Sequence, residues 1–428
     1  MCVDAHQPVP SSLTRRGVLA GAAVLAGTVA AAGPAAAAPG APASPAPAGA
    51  HARTGALVIR GGTLLDPATG RVTEEAVVVI RDGVVSAAGR AGSVGVPDGL
   101  PVLEADGHWV LPGLTDAHIH LSTTAEARAA LRCGVTSARS GSTSFYQDIA
   151  VRELARHSPG LAPRLRAAGV FVTPLPGDTI LADPDLTPLA RAKGGVRSAE
   201  ALRRMVDVNA ARGADVIKTR VNERAGLPDQ DPLTQVYSRE QLAEIVAAAR
   251  RHGKGVLCHS YSEKGCHDAV TAGVRSLEHG VFVGERTLRE MRRRDTYFTP
   301  TLTAVAGLAE SADPVLAERG RAFLPVLKRA VRAAYELGVP LAAGTDSSGG
   351  TVDPVGREVE LMHAAGLPAL DALRTATTGA ARLLGLDRTV GRLARGYAGD
   401  ALLLAGDPLS DLSLLKTPVR VIRAGIPV

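Results

Sequence analysis

Across residues 110–386 the chain repeats one alternation: an amphipathic helical stretch, a stop, then a short apolar strand. This pattern constrains the fold most, because strands joined by helical crossovers lie parallel with the helices packed outside them. Ser238-Arg239-Glu240-Gln241 has the spacing of a capping box, and the helix it opens is expected to end near His252-Gly253. A second helix is predicted over residues 198–212, ahead of Gly213, and others over residues 124–132, 319–337 and 370–384. Strands follow at residues 215–219, 256–259 and 341–345. The whole run has the size of a (β/α)8 barrel of the TIM type, typically about 250 residues. A doubly wound open sheet is the second choice; no Gly-x-Gly-x-x-Gly follows a strand, which lowers it.

Both flanks of this region read as β structure. Ala56-Leu57-Val58-Ile59-Arg60 and Ala76-Val77-Val78-Val79-Ile80 each run into a turn signal, the second at Asp82-Gly83. The texture returns at Ala401-Leu402-Leu403-Leu404 and Arg420-Val421-Ile422. Residues 51–109 and 387–428 are therefore expected to pair into one small β-sandwich domain beside the barrel of residues 110–386. Residues 1–50 stand apart. Thr14-Arg15-Arg16-Gly17-Val18-Leu19 precedes a weakly apolar Ala/Gly run that Gly33-Pro34 breaks, and an Ala/Pro/Gly tether follows. The segment resembles a bacterial twin-arginine export signal. Its apolar run, residues 17–32, is shorter than the roughly 20 residues of a membrane span. The expectation is a secreted protein carried by the export machinery, with no permanent membrane anchor.

Charge and cysteine content narrow the function classes. The 48 Lys and Arg against 42 acids leave a net charge of +6 with no long run of either sign, so no nucleic-acid footprint is visible. Removing Cys2 with the signal leaves Cys133, Cys258 and Cys266, an odd count that argues against a disulfide framework. The partner expected is a small-molecule substrate, and the composition is compatible with a homo-oligomer.

The chemistry lies in where the histidines fall. His118-Ile119-His120 ends an apolar strand expected to begin near Trp109, and residues two apart on a strand face one side. His259 closes Val256-Leu257-Cys258-His259, and His279 closes Ser276-Leu277-Glu278-His279. Asp346 closes Leu341-Ala342-Ala343-Gly344-Thr345-Asp346. Four histidines and an aspartate thus stand at the carboxyl ends of strands, the rim where barrel active sites are built. Imidazole and carboxylate suit zinc or a similar divalent ion. Lys218 ends Asp215-Val216-Ile217-Lys218 and is one of only six lysines. It either snorkels off the strand end or is desolvated towards the neutral amine, which can add CO2 to give a carbamate.

Gly113-Leu114-Thr115-Asp116-Ala117-His118-Ile119-His120-Leu121 resembles the first-strand motif of the amidohydrolase superfamily. Val216-Ile217-Lys218, Cys258-His259, Leu277-Glu278-His279-Gly280 and Gly344-Thr345-Asp346 match its later metal strands in order. The stretch from Val390-Gly391-Arg392 to Gly399-Asp400-Ala401 resembles the return to the small β domain. The nearest likeness is to the imidazolonepropionase-like branch, which includes metal-dependent Xaa-Pro dipeptidases. The resemblance implies two divalent ions, zinc foremost. His118 and His120 with Asp346 would hold the inner ion, and His259 and His279 the outer one, with carbamylated Lys218 as bridge. It further implies hydrolysis of an amide or peptide C–N bond by a hydroxide shared between the metals, with Asp346 as the proton shuttle and catalytic residue.

Departures fall where substrate would be held. Arg139-Ser140, Pro176-Gly177-Asp178 and Ser260-Tyr261 stand where the branch often carries Arg-Asp, Gly-Gly-His or Gly-Gly-Tyr, and Ala-His. Tyr237 resembles a carbonyl-polarising position and is equally a loop tyrosine; Arg139 and Arg220 either bind a substrate carboxylate or serve as salt-bridged structural arginines. Cys258 reads as a buried structural thiol. Two other functions stay open: a lactone, ester or phosphoester hydrolase on the same site, and a non-catalytic binding protein on a decayed barrel. A mononuclear deaminase is disfavoured because Lys218 supplies a second-metal bridge.

Overall fold

The protein is described here by a computed structural model over residues 55–350 and 352–428. The twin-arginine motif, the Ala/Pro tether and Cys2 lie outside the described residues. Among the described residues no helix is long and apolar enough to cross a membrane.

The two β-rich flanks meet in one mixed sheet of eight strands. From one edge it runs Ile426–Pro427, Arg420–Arg423, Ala401–Leu404, Trp109–Pro112, Leu57–Asp66, Arg71–Arg81 and Val84–Arg90, with Val102–Glu104 paired beside Leu57–Asp66. The strands share one hydrogen-bonded sheet rather than the two stacked sheets of a sandwich. The hairpin between Arg71–Arg81 and Val84–Arg90 turns on Asp82 and Gly83, both at positive φ (51° and 74°), as a two-residue turn between twisted strands requires. Residues alternate between two apolar clusters: Leu111, Leu402 and Leu404 join the main core, while Val110, Ala401 and Leu403 pack on the other face.

Two parallel sheets hold the middle of the chain. One contains Leu114–Ile119, Val135–Ser140 and Arg164–Arg166; the other contains Ile217–Arg220, Val256–Ser260, Ser276–His279 and Tyr297–Thr299. Apart from Arg164–Arg166, every residue of these strands is buried, as expected where a sheet is covered on both faces. The Val172 N–H donates to the Lys218 carbonyl (3.0 Å), linking the end of the first sheet to the start of the second.

Three helices match the expected punctuation: Thr124–Arg132 and Arg239–Arg251 with full capping boxes at Thr123/Glu126 and Ser238/Gln241, and Ala199–Ala211 capped by Ser198. Three expectations change. Trp109 and His118 belong to different strands in different sheets, divided at Gly113, where a Cβ would stand 2.1 Å from Thr136 Oγ1. The helix expected from residue 319 starts earlier, at Pro314–Glu336, because Asp313 caps it and proline is favoured in a first turn. The helix expected over 370–384 is broken into Ala369–Arg374 and Ala380–Leu383 by a π turn at Thr375–Gly379. That turn has a purpose: the Thr375 carbonyl accepts the Ala343 N–H (3.0 Å).

The Ala343 segment is the expected strand 341–345, and it is not a regular one. A single bridge joins Leu341 to Phe298. Further hydrogen bonds run from Ala342 N–H to the Phe298 carbonyl (3.1 Å), from Ala117 N–H to the Ala343 carbonyl (2.8 Å), and from Asp346 N–H to the His118 carbonyl (2.7 Å). Residues 341–346 therefore bind Tyr297–Thr299 on one side and Leu114–Ile119 on the other. Gly344 permits the approach, since a Cβ there would lie 2.8 Å from the His118 Cβ.

Candidate metal centre

Backbone strain marks the site before any side chain does. Among the described residues ten non-glycine residues have positive φ, and six of them, Ser142, Phe145, Tyr146, His279, Thr301 and Asp346, follow or end the parallel strands and the 341–346 segment at their carboxyl ends. Such conformations cost about 1–3 kcal/mol each and collect where a site requires them.

The six residues expected as ligands form one linked, buried cluster. His118, His279 and Asp346 present ligand atoms within 4.8 Å of one another. Asp346 Oδ1 lies 3.1 Å from His120 Nε2 and 3.3 Å from His118 Nε2, and Oδ2 lies 4.0 Å from His279 Nε2. Lys218 Nζ, fully buried, stands 3.0 Å from His118 Nε2 and over the Phe171 ring. The His259 ring meets His279 edge-on at 4.5 Å, and Tyr261 stacks on His279 at 5.3 Å.

Each imidazole is oriented through its far nitrogen. His118 Nδ1 meets Glu278 Oε2 at 2.6 Å, His120 Nδ1 the Ser142 carbonyl at 2.6 Å, and His279 Nδ1 the Thr301 hydroxyl at 2.7 Å. A carboxylate or carbonyl can only accept, so Nδ1 carries a proton in His118 and His120, and Nε2 of each ring faces the Asp346 carboxylate. His259 is reversed: Nε2 donates to the Glu223 carbonyl at 3.0 Å, which leaves Nδ1 as its lone-pair nitrogen. Outer hydrogen bonds of this kind set the tautomer of metal-binding histidines. The donor set of imidazole nitrogens, carboxylate and lysine fits a divalent ion of the zinc type.

Glu278 is the residue that the sequence reading quoted but did not assign. It is wholly buried, bonded to His118, to the Ser276 hydroxyl and, through both oxygens, to Arg139 Nη2 (2.9 and 3.0 Å). Burial works against its charge, but the Arg139 guanidinium and the His118 hydrogen bond outweigh burial and hold the carboxyl at about 2. Arg139 also donates to the Ala117 carbonyl (2.6 Å) and Ser276 Oγ (2.8 Å). The Arg139 donors thus face Glu278, Ser276 and Ala117. Tyr237 likewise turns inward; it is 1% exposed and its hydroxyl donates to the Val196 carbonyl at 2.8 Å. Arg220 is buried against Thr173 and Glu223. Asp116 accepts from His118 N–H (2.9 Å), Thr345 N–H (3.2 Å) and Thr345 Oγ1 (2.7 Å), clamping the first strand to the Asp346 segment. Burial lifts it to about 6 against those hydrogen bonds. Cys133, Cys258 and Cys266 are free thiols, and burial pushes Cys258 up to about 12, as suits a packed rather than reactive sulfur.

Known proteins share this arrangement of chain. Ochratoxinase of Aspergillus niger is 26% identical over 406 residues, covering 84% of this chain and 83% of its own. The crystal structure of a Xaa-Pro dipeptidase with bound methionine in the active site superposes with a TM-score of 0.77 at 25% identity, over 87% of this chain and 99% of the other. The A. niger ochratoxinase structure gives a TM-score of 0.73 at 23% identity, over 87% and 95%, and shows the shared fold. The sequence profile of the amidohydrolase family matches residues 109–427, from the strand that precedes the His118 motif to the last strand of the mixed sheet. The chain belongs to the amidohydrolase family.

Proposed function

We propose that this hydrolase of carbon–nitrogen bonds cleaves the amide of a small substrate, a dipeptide or N-acyl amino acid, at a two-metal centre formed by His118, His120, Lys218, His259, His279 and Asp346. One observation carries the reading: each of the four imidazoles is fixed through one ring nitrogen, and His118, His120 and His279 turn the other towards Asp346. Similarity to a Xaa-Pro dipeptidase and to ochratoxinase supports a small amide as substrate. The same reading makes the two parallel sheets halves of one eight-stranded barrel. Its support is the pair of seams at Val172–Lys218 and along residues 341–346.

Divalent ions bound there supply Lewis-acid polarisation of the carbonyl and an acidified water. The chain's own residues do the rest. Asp346, buried among three imidazoles, takes the proton of the attacking water and returns it to the leaving nitrogen. Lys218, buried beside His118, is the group to carbamylate: as the free amine its nitrogen would bond to the carbon of CO2 and release one proton, leaving an anionic oxygen ligand. Glu278, held by Arg139, fixes the His118 ring. Export through the twin-arginine route, with the metals acquired before transport, rests on Arg15-Arg16 and the Ala/Gly run behind them. The test is a mixed library of dipeptides, N-acyl amino acids and lactones offered to metal-loaded protein, with products read by mass spectrometry. Amide cleavage supports the reading; turnover confined to lactones or esters transfers it to the alternative chemistry, and no turnover to a binding protein.

A further inference from the structure

A cavity of about 410 Å3 opens among the hairpin turn Asp82-Gly83, the helix Gln147–His157, the strand Arg164–Arg166 and Arg423-Ala424. All three residues of Arg164–Arg166 line it, and none of the residues of the metal cluster does. Five guanidiniums line it: Arg152, Arg156, Arg164, Arg166 and Arg423. They share three carboxylates. Glu153 serves Arg152 and Arg156, Asp215 serves Arg152 and Arg166, and Asp400 serves Arg164 and Arg423. The exposed Asp82 on the wall adds a fourth negative charge, so positive charge remains in excess. Arg423 is 4% exposed, and its buried Nε has no hydrogen-bond partner among the described residues. The lining guanidiniums offer N–H donors with which an anionic oxygen would form strong charge-assisted bonds. Burial pulls the Arg423 guanidinium below its ordinary value, against the opposing pull of Asp400. Ala155, Pro159 and Leu165 give the same cavity an apolar wall.

We propose that this cavity binds a small organic oxyanion, a carboxylate or phosphate joined to an apolar group, at a site separate from the metal centre. The inference stands independently of the hydrolytic reading. Isothermal titration of the metal-loaded full chain with phenyl phosphate and with phenylacetate, and with phenol as the neutral comparison, tests it. One or both anions should bind with one-to-one stoichiometry while phenol does not, and which anion binds tells phosphate from carboxylate. Arg156 and Arg166 are the least buried of the five, with side chains 58% and 35% exposed, so they are the arginines to change. Arg156→Ala/Arg166→Ala should weaken binding about tenfold or more at an unchanged thermal midpoint and with hydrolysis intact. Arg156→Glu alone gives a second, reversed-charge readout if the double variant folds poorly. His279→Asn, which alters the metal centre, should leave the affinity unchanged. No saturable binding of either anion, binding indifferent to the arginine changes, or binding lost in His279→Asn overturns the proposal.

Discussion

Asp346 and Glu278 touch the same imidazole from opposite sides, Asp346 at Nε2 of His118 and Glu278 at Nδ1, and that difference separates their roles. Asp346→Asn keeps the shape of the side chain and loses the proton acceptor. Its kcat should fall by about 10²–10⁴ with KM nearly unchanged and metal retained, measured by steady-state kinetics beside elemental analysis. Glu278→Gln should act differently. It leaves the Arg139 charge buried and unpaired, a loss of about 3–5 kcal/mol, and loosens His118, weakening metal affinity by about 10–100-fold. Chemical denaturation and competition with a chelator read the two effects separately. Tyr237→Phe loses one hydrogen bond to Val196, about 1 kcal/mol; kcat should stay within twofold of the parent, roughly the effect of a structural hydrogen bond rather than of a carbonyl-polarising one. At this scale the members of the buried cluster were legible because strand ends are legible. Glu278 was not assigned, because a carboxylate inside an apolar strand announces that it needs a partner without saying which. Its partner, Arg139, lies on a strand 139 residues away in sequence.

The elements were readable where local chemistry closes them. The capping box at Ser238 placed the helix Arg239–Arg251 to within a residue, and the expected helix over residues 124–132 matches Thr124–Arg132, which the structure closes with a second box. The segment 341–346 was harder, because its regularity is broken by contacts from three sides: Phe298, Ala117 and the Thr375 carbonyl of a π turn. Gly344→Ala should therefore force the segment away from His118 and cost about 1–3 kcal/mol, seen as a lower thermal midpoint and reduced metal occupancy. The joint between the mixed sheet and the parallel strands rests on Asp400, which accepts from Arg164 (2.9 Å), Arg423 (3.1 Å) and the Ala424 N–H (2.7 Å). Burial opposes its charge, yet Arg423, Arg164 and that N–H outweigh burial and keep Asp400 below the usual aspartate value. A depressed carboxyl stabilises the fold at pH above its unfolded value, about 3.9, and the contribution is lost as pH falls through the lower folded value. Asp400→Asn should thus be destabilising at neutral pH, and the gap from the parent should narrow as the acid end of that window is crossed. Denaturant midpoints across the pH series check it.

For the molecule as a whole, the distant pieces of sequence that matter are brought together by the two kinds of sheet. The mixed sheet joins Leu57–Asp66 to Ala401–Leu404 through Trp109–Pro112, and the parallel sheets deliver His118, Lys218, His259 and His279 to one end. The alternation of strand and helix made the parallel layout legible from sequence, and the repeated β texture made the meeting of the two flanks legible. The division of residues 109–120 between two sheets was not, because Gly113 acts through a close approach to Thr136 that no local pattern displays. Under the proposed function, six side chains gathered from five segments of the chain hold two metal ions, one of them dependent on Lys218. Elemental analysis of the purified chain and of Lys218→Ala, paired with intact mass under non-denaturing conditions, measures it directly. The expected result is two divalent ions per chain and a carbamate-sized mass increment in the parent. Lys218→Ala should hold one ion or fewer, without activity, and short carboxylates should partly restore both. A fully active parent that carries no metal, or one whose Lys218 is an unmodified amine with both ions retained in Lys218→Ala, contradicts it.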